Sequence, residues 1–199
     1  IGLLDHTVAP FTRAISGKNA SGTPLVTEEE LRLLVNVGEE EGKGPIQRFL
    51  AGQAKKHKIW LVGGSIPLEA STSNKVRNSC LVYDDKGKVV ARYDKIHLFD
   101  VALPETGERY EESQTTEPGE NTTVVDTPFG RLGFAVCYDL RFPELFRSML
   151  TQGMEICAMP SAFTTHTGRA HWEVLVRARA IENQCYLIAA AQGGYHLNG

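Results

Sequence analysis

The chain has 199 residues, of which 42% are hydrophobic and 23% are charged, and it carries a net charge of −3 at pH 7. This size and composition are typical of a single globular domain over 1–199, and the lack of a basic excess argues against nucleic acid or an anionic membrane as a partner. No apolar run approaches the roughly 18 residues of a membrane span and no signal pattern opens the chain, so we expect a cytoplasmic protein, with the mitochondrion as the alternative.

Hydrophobic periodicity and turn residues predict the secondary structure. Residues 1–42 are polar and acidic, and they predict irregular structure with one short helix over 27–37. The later predicted elements are a helix over 45–58, a strand over 59–62 that ends at Gly63 and Gly64, a hairpin of strands 77–83 and 88–94, a loop over 96–121, a hairpin of strands 122–126 and 131–136, a helix over 143–152, a strand over 154–159, a helix over 170–184 and a strand over 185–191. Strands that alternate with helices indicate a mixed α and β class.

Cys137 follows the apolar stretch 133–136, shortly before a helix that is predicted to begin at Pro143. A sulfur placed where a strand ends and the chain turns is held rigidly among backbone N–H groups, which suits a nucleophile. The other cysteines lie far apart in apolar stretches and form no C-x-x-C pair, so we expect buried thiols and no metal site at Cys80, Cys157 and Cys185.

Charged residues surround this candidate nucleophile. Asp139, Arg141 and Glu144 follow it within seven residues, and they form either a paired network that holds the turn or a surface salt bridge. A cysteine nucleophile needs a base, and His97 and His171 leave a Cys-His pair open as one arrangement. Lys95 ends an apolar strand, where a lysine either extends to water or is kept for its charge.

Several segments of the chain, in the same order, resemble the nitrilase or carbon-nitrogen hydrolase superfamily over about residues 43 to 196. The matching segments are RYDKIHLFD at 92–100, YEES at 110–113, GRLGFAVCYDLRFPE at 130–144, PSAF at 160–163 and GRAHWEVLVRARAIENQCY at 168–186. The motifs AHWEVL at 170–175 and AAAQ at 189–192 are most similar to the branch that includes deaminated glutathione amidase. The matching part is thus 43–199, and residues 1–42 diverge.

The resemblance implies an α+β fold, a four-layer α-β-β-α sandwich whose subunits pair through helices, so we expect a homodimer or a higher homo-oligomer. It implies an amidase that cleaves a small ω-amide to a carboxylic acid and ammonia through a cysteine thioester, without metal or cofactor. By this resemblance Cys137 is the nucleophile, and Lys95 stabilises the tetrahedral intermediate together with the Tyr138 backbone N–H. Glu112 matches a second glutamate that positions the lysine or the substrate.

The general-base glutamate of the family is not found in its expected place. It should precede Lys95 at the end of an apolar strand that finishes in Pro-Glu, yet no Pro-Glu occurs before residue 104, and Phe11 follows the proline at Pro10. The acidic clusters at 28–30 and 39–41 have carboxylates without such a strand. The family's first and closing strands are also not recognised, so the sandwich is expected to be incomplete at both ends.

Two explanations fit this departure. The chain is either a fragment of an active hydrolase, which the presence of Lys95, Glu112 and Cys137 favours, or an inactive relative that binds or dimerises without turnover. For substrate binding, the sequence offers Arg141, Arg169 and Phe163 as candidates. Arg177 and Arg179 are expected instead to pack along their helix or to pair with Glu173.

Overall fold

A computed structural model describes residues 41–72, 74–103 and 108–193 of the chain. The longer helices are α1 (Pro45–His57), α2 (Pro143–Thr151) and α3 (Glu173–Asn183), and a single helical turn covers Thr165–Thr167. The strands are β1 (Leu61–Glu69), β2 (Val76–Tyr83), β3 (Val89–Asp94), β4 (Asp100–Leu103), β5 (Glu108–Glu111), β6 (Val124–Thr127), β7 (Gly130–Phe134), β8 (Ile156–Ala158) and β9 (Tyr186–Ile188). No helix within these ranges is both long and apolar enough to cross a membrane.

Helix α1 follows directly from its sequence. Pro45 lies in the first turn, where its missing N–H has no partner to lose, and the basic residues of the last turn face the negative end of the helix dipole. Ile46, Leu50 and Ala54 recur with helical spacing and are buried against β1 and β2. The predicted helix over 45–58 is therefore confirmed.

Two larger sheets make the centre of the fold. Strands β1, β2 and β3 are antiparallel neighbours, and the predicted hairpin of 77–83 with 88–94 is confirmed as β2 and β3. The second sheet has the order β6-β7-β8-β9, in which β6 and β7 form the second predicted hairpin and β7, β8 and β9 run parallel. Strands β4 and β5 form a separate antiparallel pair.

The two larger sheets pack face to face between helices. Cys80, Val82 and Tyr93 of the first sheet share one buried cluster with Phe134 and Val136, which belong to β7 and the residues just after it. Helix α1 covers the outer face of the first sheet, and helices α2 and α3 cover the outer face of the second. This order of layers confirms the predicted α-β-β-α sandwich and the α+β class.

Gly63 and Gly64 do not end β1, contrary to the prediction. The strand continues to Glu69 with an irregular register after Val62, where Gly64 adopts a φ of +69°. A bulge of this kind keeps the strand paired while it bends, so a glycine pair inside a strand does not have to be a turn. A Cβ on Gly63 would also lie 2.7 Å from the end of the Leu50 side chain of α1, so a larger residue there would require Leu50 to move.

The predicted loop over 96–121 contains regular structure, so that prediction is wrong in part. Strands β4 and β5 pair within it, and a 3-10 turn over Glu112–Gln114 follows directly. Both strands have only four residues, which leaves little periodicity to detect. The pair of strands matters for the site, because the turn that follows β5 carries Glu112.

The helix predicted over 170–184 is divided in the structure. A π-helical turn over Gly168–Trp172 comes first, and α3 begins at Glu173. The helix predicted over 27–37 lies outside the described residues. The single domain over 1–199 and the missing terminal strands both concern residues beyond the described ranges and stay predictions.

Candidate active site

Cys137 lies at a sharp turn just beyond β7. Its φ of +50° is a left-handed conformation that costs a non-glycine residue on the order of 1–3 kcal/mol. Its N–H donates to the Pro160 carbonyl at 3.0 Å, and its Sγ lies 3.7 Å from the Ala162 carbonyl oxygen. The chain continues as a 3-10 turn over Cys137–Arg141, so the sulfur is held just beyond the carboxyl end of β7, an inner strand of the second sheet.

The carboxylate of Asp139 holds this turn and is fully buried. Its Oδ2 accepts hydrogen bonds from the Val136 N–H at 2.8 Å and from the Tyr93 hydroxyl at 2.7 Å. Its Oδ1 accepts the His97 N–H at 3.0 Å and lies 2.7 Å from His97 Nδ1. Of the two alternatives that the sequence left open for Asp139, the structure therefore shows the paired network and not a surface salt bridge.

Lys95 and Glu112 form a buried ion pair beside this turn. The ammonium of Lys95 contacts Glu112 Oε2, and the two side chains are only 3% and 6% exposed. Glu112 also accepts the Phe99 N–H at 2.7 Å and the Asn78 side-chain amide at 3.3 Å. Lys95 therefore does not extend to water, and its charge is kept inside the protein, where an unpaired ammonium would be costly.

Cys137, Lys95 and Glu112 line one cavity. Its volume is about 50 Å³, while one ordered water needs roughly 10–15 Å³. The remaining walls combine aromatic rings with a few polar groups, and they are formed by Phe99, Tyr110, Tyr138, Arg141, Ala162, Phe163, Thr164 and Thr167. A small polar group such as a carboxamide fits this space beside the sulfur.

The electrostatic surroundings of Cys137 favour the protonated thiol at rest. Burial raises the pKa of the thiol above its ordinary value, and the nearby Lys95 ammonium offsets this only in part. A thiol in that state attacks only after a base removes its proton. The same ammonium is well placed for a second task, because it can stabilise negative charge that develops on a substrate oxygen in the cavity.

The Tyr138 N–H lies at the start of the 3-10 turn, where N–H groups lack a partner within the turn. Its two neighbours are already engaged, since the Cys137 N–H donates to Pro160 and the Asp139 N–H donates to Val136 at 3.1 Å. The Tyr138 ring packs against Phe99 with 5.0 Å between ring centroids, which fixes the residue. This N–H is the donor that the resemblance assigned to an oxyanion.

The structure separates the three candidate substrate-binding residues. Arg141 and Phe163 line the cavity, and the Arg141 guanidinium lies 5.5 Å from the Phe163 ring centroid. Arg169 is exposed in the π-helical turn and does not line this cavity. A π-helical turn holds more residues than an α-helical one, which changes the direction in which its side chains point. The predicted contact of Arg169 with a substrate stays a prediction, and this cavity does not supply the place for it.

The two histidines do not pair with Cys137, because neither lines the cavity. His97 is bound to Asp139 and stacks on Phe142, with 3.7 Å between ring centroids. His171 lies on the surface with its Nδ1 3.4 Å from the Arg141 guanidinium nitrogens. The Cys-His arrangement that the sequence left open is not formed.

Sequence reasoning missed Asn78, which contacts Glu112. The amide lies between Arg77 and Ser79 in a predicted strand, and its need for a partner becomes evident only once the structure shows that Asn78 is buried. Arg179 was expected to pack along its helix or to pair with Glu173, yet its Nε donates to the Leu140 carbonyl at 3.0 Å and thereby joins α3 to the nucleophile turn. The expected pair with Glu173 is made by Arg177 instead, at 3.4 Å.

The sequence positions considered for the general base lie almost entirely outside the described residues. These are Phe11 with its neighbours, the cluster 28–30 and residues 39 and 40. Glu41 is described, and its carboxylate pairs with Arg92 at a solvent-exposed position. Within the described ranges, Glu112 is the carboxylate that lines the cavity.

Comparison with known proteins gives a consistent result. The family model described as carbon-nitrogen hydrolase matches residues 21–199. Deaminated glutathione amidase of Yersinia enterocolitica is 48% identical over 95% of this chain and 68% of its own length, and omega-amidase NIT3 of Saccharomyces cerevisiae is 36% identical over 96% of this chain and 66% of its own length. The chain thus spans about two thirds of these relatives, and it spans 54% of the deaminated glutathione amidase of Dictyostelium discoideum.

Solved structures agree with the sequence comparison. The crystal structure of Saccharomyces cerevisiae Nit3, described as a member of branch 10 of the nitrilase superfamily, superposes with a TM-score of 0.72. The two chains are 30% identical, and the match covers 98% of this chain and 71% of that one. The Caenorhabditis elegans NitFhit protein gives a TM-score of 0.70 at 45% identity, over 75% of this chain and 37% of that one.

Proposed function

The chain belongs to the carbon-nitrogen hydrolase family, and from that membership we propose that it hydrolyses a small ω-amide of a carboxylic acid to the acid and ammonia. In this proposal Cys137 is the nucleophile, Lys95 and the Tyr138 N–H stabilise the oxyanion, and Glu112 holds Lys95. The observation that carries the proposal is the buried Lys95–Glu112 pair in the same cavity as Cys137. An ammonium kept out of water beside a sulfur supports charge stabilisation during acyl transfer.

The first half of the proposed reaction forms a thioester. A base takes the proton of Cys137, the Sγ attacks the amide carbon, and the electron pair of the C=O bond moves to oxygen. Lys95 and the Tyr138 N–H stabilise that oxygen until the C–N bond breaks. The nitrogen then takes a proton from the protonated base and leaves as ammonia.

The second half consumes water. Water gives a proton to the base and adds to the thioester carbon, and the C–S bond breaks to release the carboxylic acid. The base then returns the proton to the sulfur, which restores the thiol. Glu112 is already engaged with Lys95, Phe99 and Asn78. Because it is the carboxylate that lines the described part of the cavity, we assign the base to a residue outside the described ranges.

The acid end of the substrate is assigned to Arg141. Its guanidinium lines the cavity close to the Tyr138 and Phe163 rings, and no carboxylate among the described residues pairs with it. An arginine in that position suits a substrate carboxylate, which it can bind through two parallel hydrogen bonds. Phe163 supplies an apolar wall for the carbons in between.

We also propose that two copies of the chain associate through α3. Val174 and Ile181 lie seven residues apart on one face of this helix and are 68% and 73% exposed. Large apolar side chains on one exposed helix face are typical of a surface that buries against a partner. Sedimentation velocity would return a dimer, and a concentration-independent monomer contradicts the assignment. The cytoplasmic location stays a prediction.

The test of the activity uses succinamate, the monoamide of succinic acid, and measures ammonia release by the full-length protein. We expect release by the wild type, release by Cys185→Ala, and loss in Cys137→Ala, because Cys185 lies in the core away from the cavity. Equal release by the wild type and Cys137→Ala would end the proposal. The relatives carry amidase names, and nothing in the described residues favours the inactive alternative.

A further inference from the structure

Arg77 and Asn78 contact the segments that carry Lys95 and Glu112 from the two faces of β2. Neighbouring residues of a strand point to opposite faces. The Asn78 carbonyl accepts the Lys95 N–H at 2.9 Å, and its side-chain amide donates to Glu112 Oε1 at 3.3 Å. Asn78 thus holds the ion pair from the face of β2 that points toward Glu112, while Arg77 points to the opposite face.

On that other face, Arg77 joins the same two segments. One guanidinium nitrogen donates to Asp94 Oδ2 at 3.2 Å, and Asp94 is the residue directly before Lys95. The Nε donates to Glu117 Oε1 at 3.0 Å, and a further guanidinium nitrogen contacts the same oxygen. Glu117 lies in the segment that follows Glu112, so the Arg77 side chain links this segment to the end of β3 through the two carboxylates.

The segment between Glu112 and Gly119 is packed tightly against the end of β3. The Glu117 N–H donates to the Val76 carbonyl at 2.9 Å, and the Gly119 N–H donates to the Lys95 carbonyl at 2.8 Å. A Cβ on Gly119 would lie 2.1 Å from the Asp94 carbonyl oxygen. With so little free space, a movement of Asp94 or Glu117 is passed on to the residues that carry the ion pair.

Arg92 provides an internal comparison. It also binds Asp94, with its Nε 2.8 Å from Oδ1, and its side chain is 25% exposed against 21% for Arg77. Its second partner is the exposed Glu41 rather than Glu117. Arg92 therefore resembles Arg77 in charge, burial and one carboxylate partner, and it differs in making no bridge to the segment that carries Glu112.

We propose that Arg77 is a positioning residue for the reaction: by bridging Asp94 and Glu117 it holds Lys95 and Glu112 in register beside Cys137. This rests on the proposed function of Lys95 and Glu112. Removal of the Arg77 guanidinium leaves the hydrogen bonds of Asn78, Phe99 and Gly119 to the ion pair in place, but no side chain then links Asp94 to Glu117 on the opposite face of β2. The Lys95 ammonium then lies farther from the sulfur on average, which reduces both the thiolate fraction of Cys137 and the stabilisation of the oxyanion.

The test compares Arg77→Gln with Arg92→Gln in two measurements. The first is the rate at which iodoacetamide alkylates Cys137, followed by mass spectrometry of the peptide that contains it. This rate reads the influence of Lys95 without any turnover, and we expect a decrease of about 3- to 10-fold in Arg77→Gln, which corresponds to a pKa change of up to about one unit. The three buried cysteines report unfolding if they react too.

The second measurement is ammonia release from succinamate. A misplacement within the site should lower kcat of Arg77→Gln by about 10- to 100-fold and leave KM nearly unchanged. Arg92→Gln should stay within about twofold of the wild type in both measurements. A merely structural arginine would instead lower the melting temperature without this selective change in alkylation.

Equal alkylation rates in Arg77→Gln and Arg92→Gln, or a faster rate in Arg77→Gln, overturn the proposal. If Arg77→Gln unfolds and exposes its buried cysteines, the decision passes to Glu117→Gln, which keeps an acceptor oxygen and removes the charge: slower alkylation supports the bridge and an unchanged rate overturns it. A wild type that releases no ammonia contradicts the proposed function, while the alkylation comparison still decides the role of Arg77.

Discussion

Replacing Glu112 with glutamine tests the buried ion pair most directly. The carboxylate accepts three hydrogen bonds, from the Lys95 ammonium and the Phe99 N–H at Oε2 and from the Asn78 amide at Oε1. Glutamine retains its own oxygen for the first two donors, and a rotation of the Asn78 amide turns its oxygen toward the new amide group. Glu112→Gln therefore preserves the hydrogen bonds and removes the charge alone.

The magnitude follows from burial. With Lys95 only 3% exposed, the variant leaves an ammonium inside the protein without its counter-ion. Loss of one partner from a buried pair destabilises a protein by about 3–5 kcal/mol, and because the hydrogen bonds survive we expect about 3 kcal/mol. For a chain of this size that value corresponds to a decrease in melting temperature of about 6–12 °C.

The neighbouring residue supplies the matched control. Glu111 pairs with Arg109 at the surface, where the two side chains are 35% and 72% exposed. Glu111→Gln should change the free energy of unfolding by less than about 0.5 kcal/mol. Urea unfolding of both variants at neutral pH measures the difference, and a loss in Glu112→Gln no larger than in Glu111→Gln would refute the argument that the pair is buried and interdependent.

Three further outcomes follow from the same contacts. Arg141→Gln should raise KM for succinamate by about 10- to 100-fold, since a charge-assisted contact contributes about 1.5–3 kcal/mol, and should leave hydrolysis of the uncharged analogue butyramide nearly unchanged. Asp139→Asn should destabilise the protein by about 2–3 kcal/mol in urea unfolding, because an amide nitrogen then faces buried donors. Stability should decrease as pH falls below about 4, since Asp94 and Glu117 bind protons more readily in the unfolded chain, and urea midpoints at a series of pH values measure this effect.

The sign of the acid effect comes from two depressed pKa values. Burial acts to raise the pKa of Asp94, but hydrogen bonds from Arg92 and Ser79 outweigh it and hold this pKa below its ordinary 3.8. Hydrogen bonds from Ser71, Thr72 and Arg77 hold the pKa of Glu117 well below its ordinary 4.5. The stability that these carboxylates contribute is complete above the unfolded values and is lost as pH falls through the folded ones.

Each outcome has a result that contradicts it. Equal increases in KM for succinamate and butyramide in Arg141→Gln would mean that the arginine shapes the cavity without binding a carboxylate. An Asp139→Asn variant as stable as the wild type would remove the buried network from the account of the nucleophile turn. A stability profile that is flat down to about pH 3 would show that the Asp94 and Glu117 contacts contribute nothing in solution.

Features that depend on local order are predictable from the sequence of this chain. The spacing of Ile46, Leu50 and Ala54 defines one helix face, and the turn at 84–87 defines the hairpin of β2 and β3. The position of Cys137 at the end of an apolar stretch is local in the same sense. These features were predictable because periodicity and turn chemistry act over a few neighbouring residues.

Contacts between residues that are distant in sequence become visible only in the folded chain. Asn78 reaches Glu112 across 34 positions and Tyr93 reaches Asp139 across 46, and no local pattern encodes contacts of that separation. The fold also directs Arg141 into the cavity and Arg169 to the surface. The physical reason is that a buried charge is acceptable only where distant segments bring it a partner, and that condition is met by packing rather than by sequence order.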